Sequence, residues 1–248
     1  MKKNATMTTL CGWPLLALAS QFLPCRAHAQ AIVATYNERP PYMVTAADGT
    51  PTGLTGSPAV QAFAAAGIPV SYQKTPSNRQ LMMIKQAAVR NCALGWFRTP
   101  ERERYAKFSK AIYRDKAWMV LAYAGFNVPD GATLESLLRD ANTRVLVKEN
   151  FSYGPQIDDL LARYQPARAM SAGSPLQMMH SVSMGTVDLM FVAEEEGNYM
   201  LSHAGTHAKD LRLLHFPDLP KGAERYIMCS KNVPDEVIVK LNKAITFK

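Results

Sequence analysis

The chain has 248 residues, of which 48% are hydrophobic and 19% are charged, and its formal net charge at pH 7 is +8. This composition supports one large core or two modest lobes, and it excludes a long disordered or low-complexity protein. The positive charge attracts anions, but no basic run with interleaved aromatic residues indicates a nucleic-acid partner.

The first 29 residues have the pattern of a secretory signal peptide. Lys2 and Lys3 form a positive start, an apolar stretch runs over residues 10–23, and Ala27-His28-Ala29 is a small-x-small cleavage site. We predict cleavage before Gln30, which would lower the formal charge from +8 to +5 by removing three basic residues. The apolar stretch is shorter than the roughly 20 residues that a membrane span needs.

Two of the four cysteines, Cys92 and Cys229, remain after this cleavage. Export to an oxidising compartment permits a disulfide between them. Two buried free thiols are the alternative, because free cysteine is a common core residue. Of the two cysteines that cleavage would remove, Cys25 directly follows Pro24. A proline at that position does not match the sequence pattern of a lipid-attachment site.

Strand and helix signals alternate from residue 31 onward. Strands are predicted at 31–35, 69–73, 92–97, 118–122, 144–147, 186–192, 211–216 and 224–230. Helices are predicted at 54–66, 78–89, 133–139, 156–164, 175–184 and 234–245, with a short helix after Thr99. The first strands and helices alternate with short connections, which predicts a parallel sheet that binds ligands at the carboxyl ends of its strands.

The segment after the strand at 92–97 is a candidate anion site. Thr99 can cap a short helix, Pro100 suits its first position, and Arg102 then lies in the first turn. A guanidinium beside the free N–H groups of a helix start can hold a carboxylate with two parallel hydrogen bonds. On composition alone a solvated basic helix is the better interpretation, because arginine and lysine are dense here.

Three short segments, Thr99-Pro100-Glu101-Arg102, Phe108-Ser109 and Ile112-Tyr113, follow one another in this order. This order resembles the signature of bacterial extracellular solute-binding proteins of family 3, the polar amino acid type. The resemblance implies an α/β fold of two lobes (the type II periplasmic binding protein fold), each a mostly parallel sheet flanked by helices. A two-stranded hinge would join lobe 1 (residues 30–115 and 219–248) to lobe 2 (residues 116–218).

The same resemblance implies a ligand cleft in which Arg102 grips a carboxylate. Other residues match positions that line the cleft or lie beside it in relatives: Arg39, Arg79, Tyr36, Tyr42, Trp96, Phe97, Thr99, Ser152, Tyr153 and Glu194. Two departures bear on the ligand. Ala193 stands where relatives often carry the acid that pairs with a ligand ammonium, with Glu194 next to it, and the Gly95-Trp96-Phe97 segment lacks their usual hydroxyls.

In the implied topology the last strand returns beside the strand of Cys92. Cys92 and Cys229 would then be neighbours, which favours the disulfide over two free thiols. Such a bond would close a loop of more than a hundred residues, a constraint of about 4–5 kcal/mol in the chain-entropy model.

We therefore expect a monomeric periplasmic binding protein that closes on an amino acid or related organic acid and serves a membrane permease. Two alternatives stay open: an enzyme on the same fold that resembles cyclohexadienyl dehydratases, and a ligand-sensing module of a membrane receptor. No cofactor is expected, since no phosphate loop or dinucleotide fingerprint occurs. No metal site is expected either, because Gly205 interrupts the spacing of His203 and His207.

Overall fold

The structure, a computed structural model, describes residue 1 and residues 31–247. The predicted signal peptide lies outside the described residues apart from Met1. The described part of the chain forms two mixed sheets of five strands each, with helices around them.

The first sheet belongs to lobe 1. Its strands are β1 (Ile32–Tyr36), β4 (Val70–Lys74), β5 (Asn91–Phe97), β6 (Ala106–Arg114) and β12 (Glu224–Ser230). Their order in the sheet is β4-β1-β5-β12-β6, and β12 runs antiparallel to both of its neighbours. A short ribbon of β2 (Val44–Thr45) and β3 (Pro51–Thr52) and four helices complete the lobe: α1 (Gly53–Ala65), α2 (Ser77–Gln86), α3 (Pro100–Glu103) and α8 (Asp235–Ala244).

The second sheet belongs to lobe 2. Its strands are β7 (Trp118–Tyr123), β8 (Arg144–Lys148), β9 (Ala167–Ser171), β10 (Leu189–Ala193) and β11 (Leu211–Leu214), in the order β11-β7-β10-β8-β9. Helices α4 (Leu134–Arg139), α5 (Pro155–Tyr164), α6 (Pro175–Ser183) and α7 (Glu194–His203) surround it, and a 3-10 turn (Gly205–Asp210) follows α7.

Local sequence signals explain where several helices begin. Thr133 and Ser174 each accept a hydrogen bond from the third backbone N–H of their helix, and each is matched by a reciprocal bond in a capping box. Each lobe then buries its own apolar side chains, so each has its own core. Fully buried examples are Phe63, Ile227 and Leu241 in lobe 1 and Leu134, Ile157 and Leu189 in lobe 2.

Two chain crossings join the lobes, at residues 115–117 and 215–223. The crossings bond to each other, since the amide of Asp115 donates to Ala223 O at 3.0 Å and that of Trp118 donates to Pro220 O at 3.2 Å. A Cβ atom on Gly222 would lie 1.9 Å from the carbonyl oxygen of Asp115. Only glycine fits at this contact. The two sheets and the two crossings between them confirm the predicted two-lobed fold with a two-stranded connection.

The predicted disulfide is also confirmed. Cys229 on β12 lies opposite Cys92 on β5, and their sulfur atoms are bonded. Both side chains are fully buried. The bond therefore ties the last strand of the chain to the centre of the first sheet.

The sequence prediction missed the short strands β2 and β3, the 3-10 turn after α7 and three longer elements, β6, β9 and α7. Strand β6 covers residues 106–114 and has nine residues. Strand β9 lies at the edge of its sheet and carries few apolar side chains. Helix α7 begins with the three glutamates that follow β10. The strand predicted at 186–192 begins only at Leu189. Within the part of the chain that the structure describes, no helix combines the length and apolar character needed to span a bilayer.

Candidate functional site

A small cavity lies where the two lobes meet. Lobe 1 contributes the loop after β1, the end of β5 and the segment that leads to α3, and lobe 2 contributes the loop after β8. The lining residues are Asn37, Arg39, Tyr42, Met43, Thr55, Leu94, Gly95, Trp96, Phe97, Arg102, Phe151, Ser152 and Arg225. The free volume is about 30 Å³, which corresponds to about two water molecules.

Arg102 bridges the lobes from one wall of this cavity. Thr99 caps α3 by accepting a hydrogen bond from the Arg102 amide at 3.3 Å. The guanidinium donates to Phe97 O at 2.9 Å within lobe 1 and to Asn150 O at 3.3 Å in lobe 2. It also lies 4.8 Å from the centre of the Trp96 ring.

The charge of Arg102 has no carboxylate partner in a salt bridge within residues 31–247. The side chain is buried. Burial lowers the pKa of Arg102, because the charged form loses its hydration. Tyr105, Glu101 and Asp158 favour the charged form, but none of them forms a salt bridge with the guanidinium. A buried cation without a direct ionic partner is stabilised further by an anion.

Arg225 forms the floor of the cavity and has its own counter-ion. Its guanidinium donates two hydrogen bonds to Asp115, both at 2.6 Å, and a third to Gly95 O at 3.1 Å. Burial opposes the charge of Arg225, but the attraction of Asp115 outweighs it and raises the pKa of the guanidinium. The arginine also covers the rings of Tyr42 and Phe97, at 4.1 and 4.5 Å.

Arg39 forms the third cation and pairs across the cleft. It lies in the loop after β1 of lobe 1 and donates two hydrogen bonds, each 2.7 Å long, to Glu196 on α7 of lobe 2. Burial works against the charge of Arg39, yet Glu196 raises the pKa of the guanidinium. This pair closes one side of the cavity.

Four aromatic rings belong to the remaining wall, those of Tyr42, Trp96, Phe97 and Phe151. The indole nitrogen of Trp96 donates to Gln80 at 3.0 Å, and Gln80 in turn donates to Thr75 O at 2.8 Å. Phe151 of lobe 2 approaches Trp96 with 6.3 Å between ring centres. Gly95 precedes Trp96 with φ of +76°, a conformation that glycine adopts without strain.

The hydroxyl of Tyr42 is a polar atom of the wall for which the described part of the chain offers no hydrogen-bond partner. The hydroxyl is buried. Burial raises the pKa of Tyr42 well above its usual value, so the hydroxyl keeps its proton. It is therefore available to donate a hydrogen bond to an atom in the cavity.

The structure brings six of the eleven predicted ligand residues to this cavity: Arg39, Tyr42, Trp96, Phe97, Arg102 and Ser152. Thr99 lies on the far side of Arg102, where it lines a neighbouring cavity of about 300 Å³ together with Lys85 and Asp158. Its oxygen serves the helix cap described above.

Four predicted ligand residues lie elsewhere. Arg79 is exposed on α2, because the inward position of that turn belongs to Gln80. Tyr36 is buried in lobe 1 and donates to Gly49 O at 2.8 Å. Two others lie in lobe 2.

Of these two, Tyr153 packs in the core between Trp118 and Phe191 and accepts a hydrogen bond from the Lys148 amide at 2.8 Å. Glu194 faces outward and pairs with Lys116 at 3.2 Å. The inward acid is Glu196, which lies two residues later on the same helix.

Sequence reasoning missed several residues of the site. Arg225 and Phe151 line the cavity, and Glu196 contacts Arg39, but none of them belongs to the matched motif. The run of three glutamates was a signal for an acid here. A helix that starts at Glu194 turns the first and third acids to different sides, which the sequence pattern alone did not reveal.

The histidines that the structure describes form no metal centre. Helix α7 ends at His203, and His207 lies in the following 3-10 turn, where its ring meets that of His180 at 4.9 Å. Within residues 31–247 no group of three or more histidine, cysteine or acidic side chains has the geometry to hold a metal ion.

Comparisons with known proteins agree with this architecture. The sequence model of the "Bacterial extracellular solute-binding proteins, family 3" matches residues 31–246. No match was found among curated protein sequences.

Three solved structures show the same fold. An ancestral arginine-binding protein bound to arginine has a TM-score of 0.70 at 14% identity, covering 88% of this chain and 92% of its own. A structure from work on glutathione import through GshT and the cystine ABC importer TcyBC of Streptococcus mutans has a TM-score of 0.70 at 14% identity, with 87% of each chain covered. A histidine kinase sensor domain with similarity to periplasmic binding proteins has a TM-score of 0.67 at 17% identity, covering 88% of this chain and 89% of its own.

Proposed function

The chain belongs to the bacterial extracellular solute-binding proteins of family 3, and we propose that it captures a small carboxylate ligand between its lobes and delivers it to a membrane transporter. Arg102 is the carboxylate clamp in this proposal. The ligand is held where the two lobes meet, and a hinge motion at the two crossings gives access to it.

The observation that carries the proposal is the state of Arg102. Its guanidinium is buried between the lobes, donates to the carbonyl oxygens of Phe97 and Asn150, and has no salt bridge within the described residues. The other two cavity arginines already hold carboxylates of the protein. A carboxylate from a ligand would supply the missing counter-charge, with two parallel hydrogen bonds from the guanidinium.

The charges around the cavity favour an organic acid over a zwitterionic amino acid. Ala193, at the position where relatives often carry the acid for a ligand ammonium, is buried and carries no charge. Glu194 faces Lys116, and Glu196 is taken by Arg39. A ligand ammonium would therefore compete with Arg39 for Glu196, whereas a ligand carboxylate meets Arg102, which has no salt bridge among the described residues.

Transport is supported by the family and by neighbours that are named for arginine binding and for work on an ABC importer. Export to the periplasm agrees with the predicted signal peptide and with a disulfide, which persists in oxidising compartments. The mature chain would begin at Gln30 and act as a monomer. An intact mass of the exported protein checks the cleavage position.

A ligand panel tests the proposal. Unfolding midpoints are measured for the mature protein with dicarboxylates, aromatic and aliphatic monocarboxylates, and acidic, neutral and basic amino acids. A ligand at a hundred times its dissociation constant contributes about 2.7 kcal/mol, which raises the midpoint of a chain of this size by about 5–11 °C. No shift with any carboxylate would contradict the clamp.

Uptake assays test the delivery step once a ligand is known. Cells that lack the protein should take up the labelled ligand more slowly than cells that produce it. Unchanged uptake, together with loss of a transcriptional response to the ligand, would favour the sensing alternative. Chemical conversion of the ligand by the purified protein would favour the enzyme.

A further inference from the structure

A salt bridge between the lobes lies inside the cleft. Nε of Arg39 donates to Oε1 of Glu196 and one Nη donates to Oε2, each over 2.7 Å. The side chain of Arg39 is 14% exposed and that of Glu196 is 2% exposed. A bidentate pair that is shielded from water in this way is screened little by salt.

The surroundings hold Arg39 in place for this contact. Its guanidinium lies 5.2 Å from the ring centre of Tyr42 in lobe 1 and 5.0 Å from that of Phe151 in lobe 2. Glu196 faces no other cation in a salt bridge within the described residues. The two charges therefore depend on each other, because either one alone would be a buried and unpaired ion.

The two partners move apart whenever the cleft opens. Arg39 is carried by the loop after β1 of lobe 1, and Glu196 is carried by α7 of lobe 2. Weaker polar contacts cross the cleft at the same time, from the Arg102 guanidinium to Asn150 O at 3.3 Å and from Nδ2 of the Asn150 side chain to Oδ1 of Asn78 at 3.0 Å. Opening would break these contacts too, but Arg39 and Glu196 form the one salt bridge that crosses the cleft between described residues.

We infer that the Arg39–Glu196 pair is a latch that holds the two lobes closed without the help of a ligand. Every group in the latch is supplied by the protein, and the pair closes one side of the cavity in which a ligand would bind. The closed shape is then the resting state, and entry of a ligand requires the latch to open first. The latch acts in the ligand-free protein and does not depend on the identity of any ligand.

Small-angle X-ray scattering tests the latch. Mature protein is unfolded with its disulfide intact, dialysed to remove carried ligands and refolded, and its radius of gyration is compared with those of E196Q and E194Q. A compact chain of residues 31–248 has a radius of gyration of about 17 Å. We expect this compact value for the wild type and for E194Q, which alters an exposed acid of the same helix turn, and a larger value for E196Q.

Three outcomes would overturn the latch. The first is an expanded wild type that contracts only when a ligand is added, and the second is a compact E196Q. The third is an expansion of E194Q equal to that of E196Q. If E196Q does not refold, R39Q takes its place, because this change removes the pair from the other lobe. R39Q must then give the larger radius of gyration. The measurement on the wild type needs neither variant. A ligand-binding assay on the same samples separates failure of the latch from failure of the carboxylate site.

Discussion

The buried pair of Arg225 and Asp115 gives a sharp stability prediction. It lies where the first crossing between the lobes leaves β6, and its side chains are 4% and 0% exposed. The change D115N keeps the shape of the side chain and removes its charge. The guanidinium would then remain in the floor of the cavity with only neutral acceptors, Gly95 O and the new amide oxygen, and it would face an NH2 donor in place of one carboxylate oxygen.

The size of the effect follows from burial. Removing one partner of a buried ion pair costs about 3–5 kcal/mol, because the other charge is left without compensation. Both hydrogen bonds from Arg225 to Asp115 measure 2.6 Å, so the pair is fully formed and the whole penalty applies. For a chain of this size the expected fall in the unfolding midpoint is about 6–20 °C.

Thermal unfolding, followed by tryptophan fluorescence, measures the change. The matched control is D159N, which breaks the exposed pair of Asp159 and Arg163 on α5. We expect the midpoint of D159N to equal that of the wild type, since exposed pairs contribute little. A D115N protein as stable as D159N would refute the reasoning that an uncompensated charge at this position is costly.

Two further predictions concern the same lobe and its hinge. The double variant C92A/C229A should lose about 5 kcal/mol, because the disulfide spans 137 residues of sequence and constrains the unfolded chain. Reductant should lower the unfolding midpoint of the wild type and leave that of C92A/C229A unchanged; equal midpoints of the two proteins without reductant would speak against this account. The change G222A should lower the free energy of unfolding by at least about 1–3 kcal/mol, since its Cβ would lie 1.9 Å from Asp115 O. Thermal unfolding measures this change. A G222A protein with a wild-type midpoint would show that the crossings tolerate a side chain.

The sequence predicted the features that depend on topology and on short motifs. The strand–helix order places Cys229 beside Cys92, and the cap at Thr99 places Arg102 at the cleft. Both follow from local patterns combined with the connectivity of a known family. A strand or a helix cap is specified by a few neighbouring residues, so its pattern can be identified even when the overall sequence identity to relatives is low.

Residues whose role depends on the rotation of a helix were harder to predict. Arg79 and Gln80 are neighbours in sequence, but about 100° of rotation separates them on α2, and the uncharged side chain is the one that faces Trp96. In the same way Glu194 and Glu196 point to different sides of α7. The relevant face is set by packing between elements far apart in the chain.

Residues that enter the site from distant segments could not be predicted from motifs. Arg225 comes from the last strand, and its approach to the cavity depends on the return crossing and on Asp115. Phe151 approaches Trp96 only because the lobes are closed. Neither position carries a signal beyond its residue type.

The carboxylate clamp is tested most directly by calorimetric titration of Arg102→Ala with the strongest ligand from the panel. The matched control is R104A, which removes an exposed arginine two residues later. We predict that R104A binds like the wild type and that Arg102→Ala loses at least a hundredfold in affinity while its circular dichroism spectrum stays native. Wild-type affinity in a folded Arg102→Ala protein would contradict the central claim.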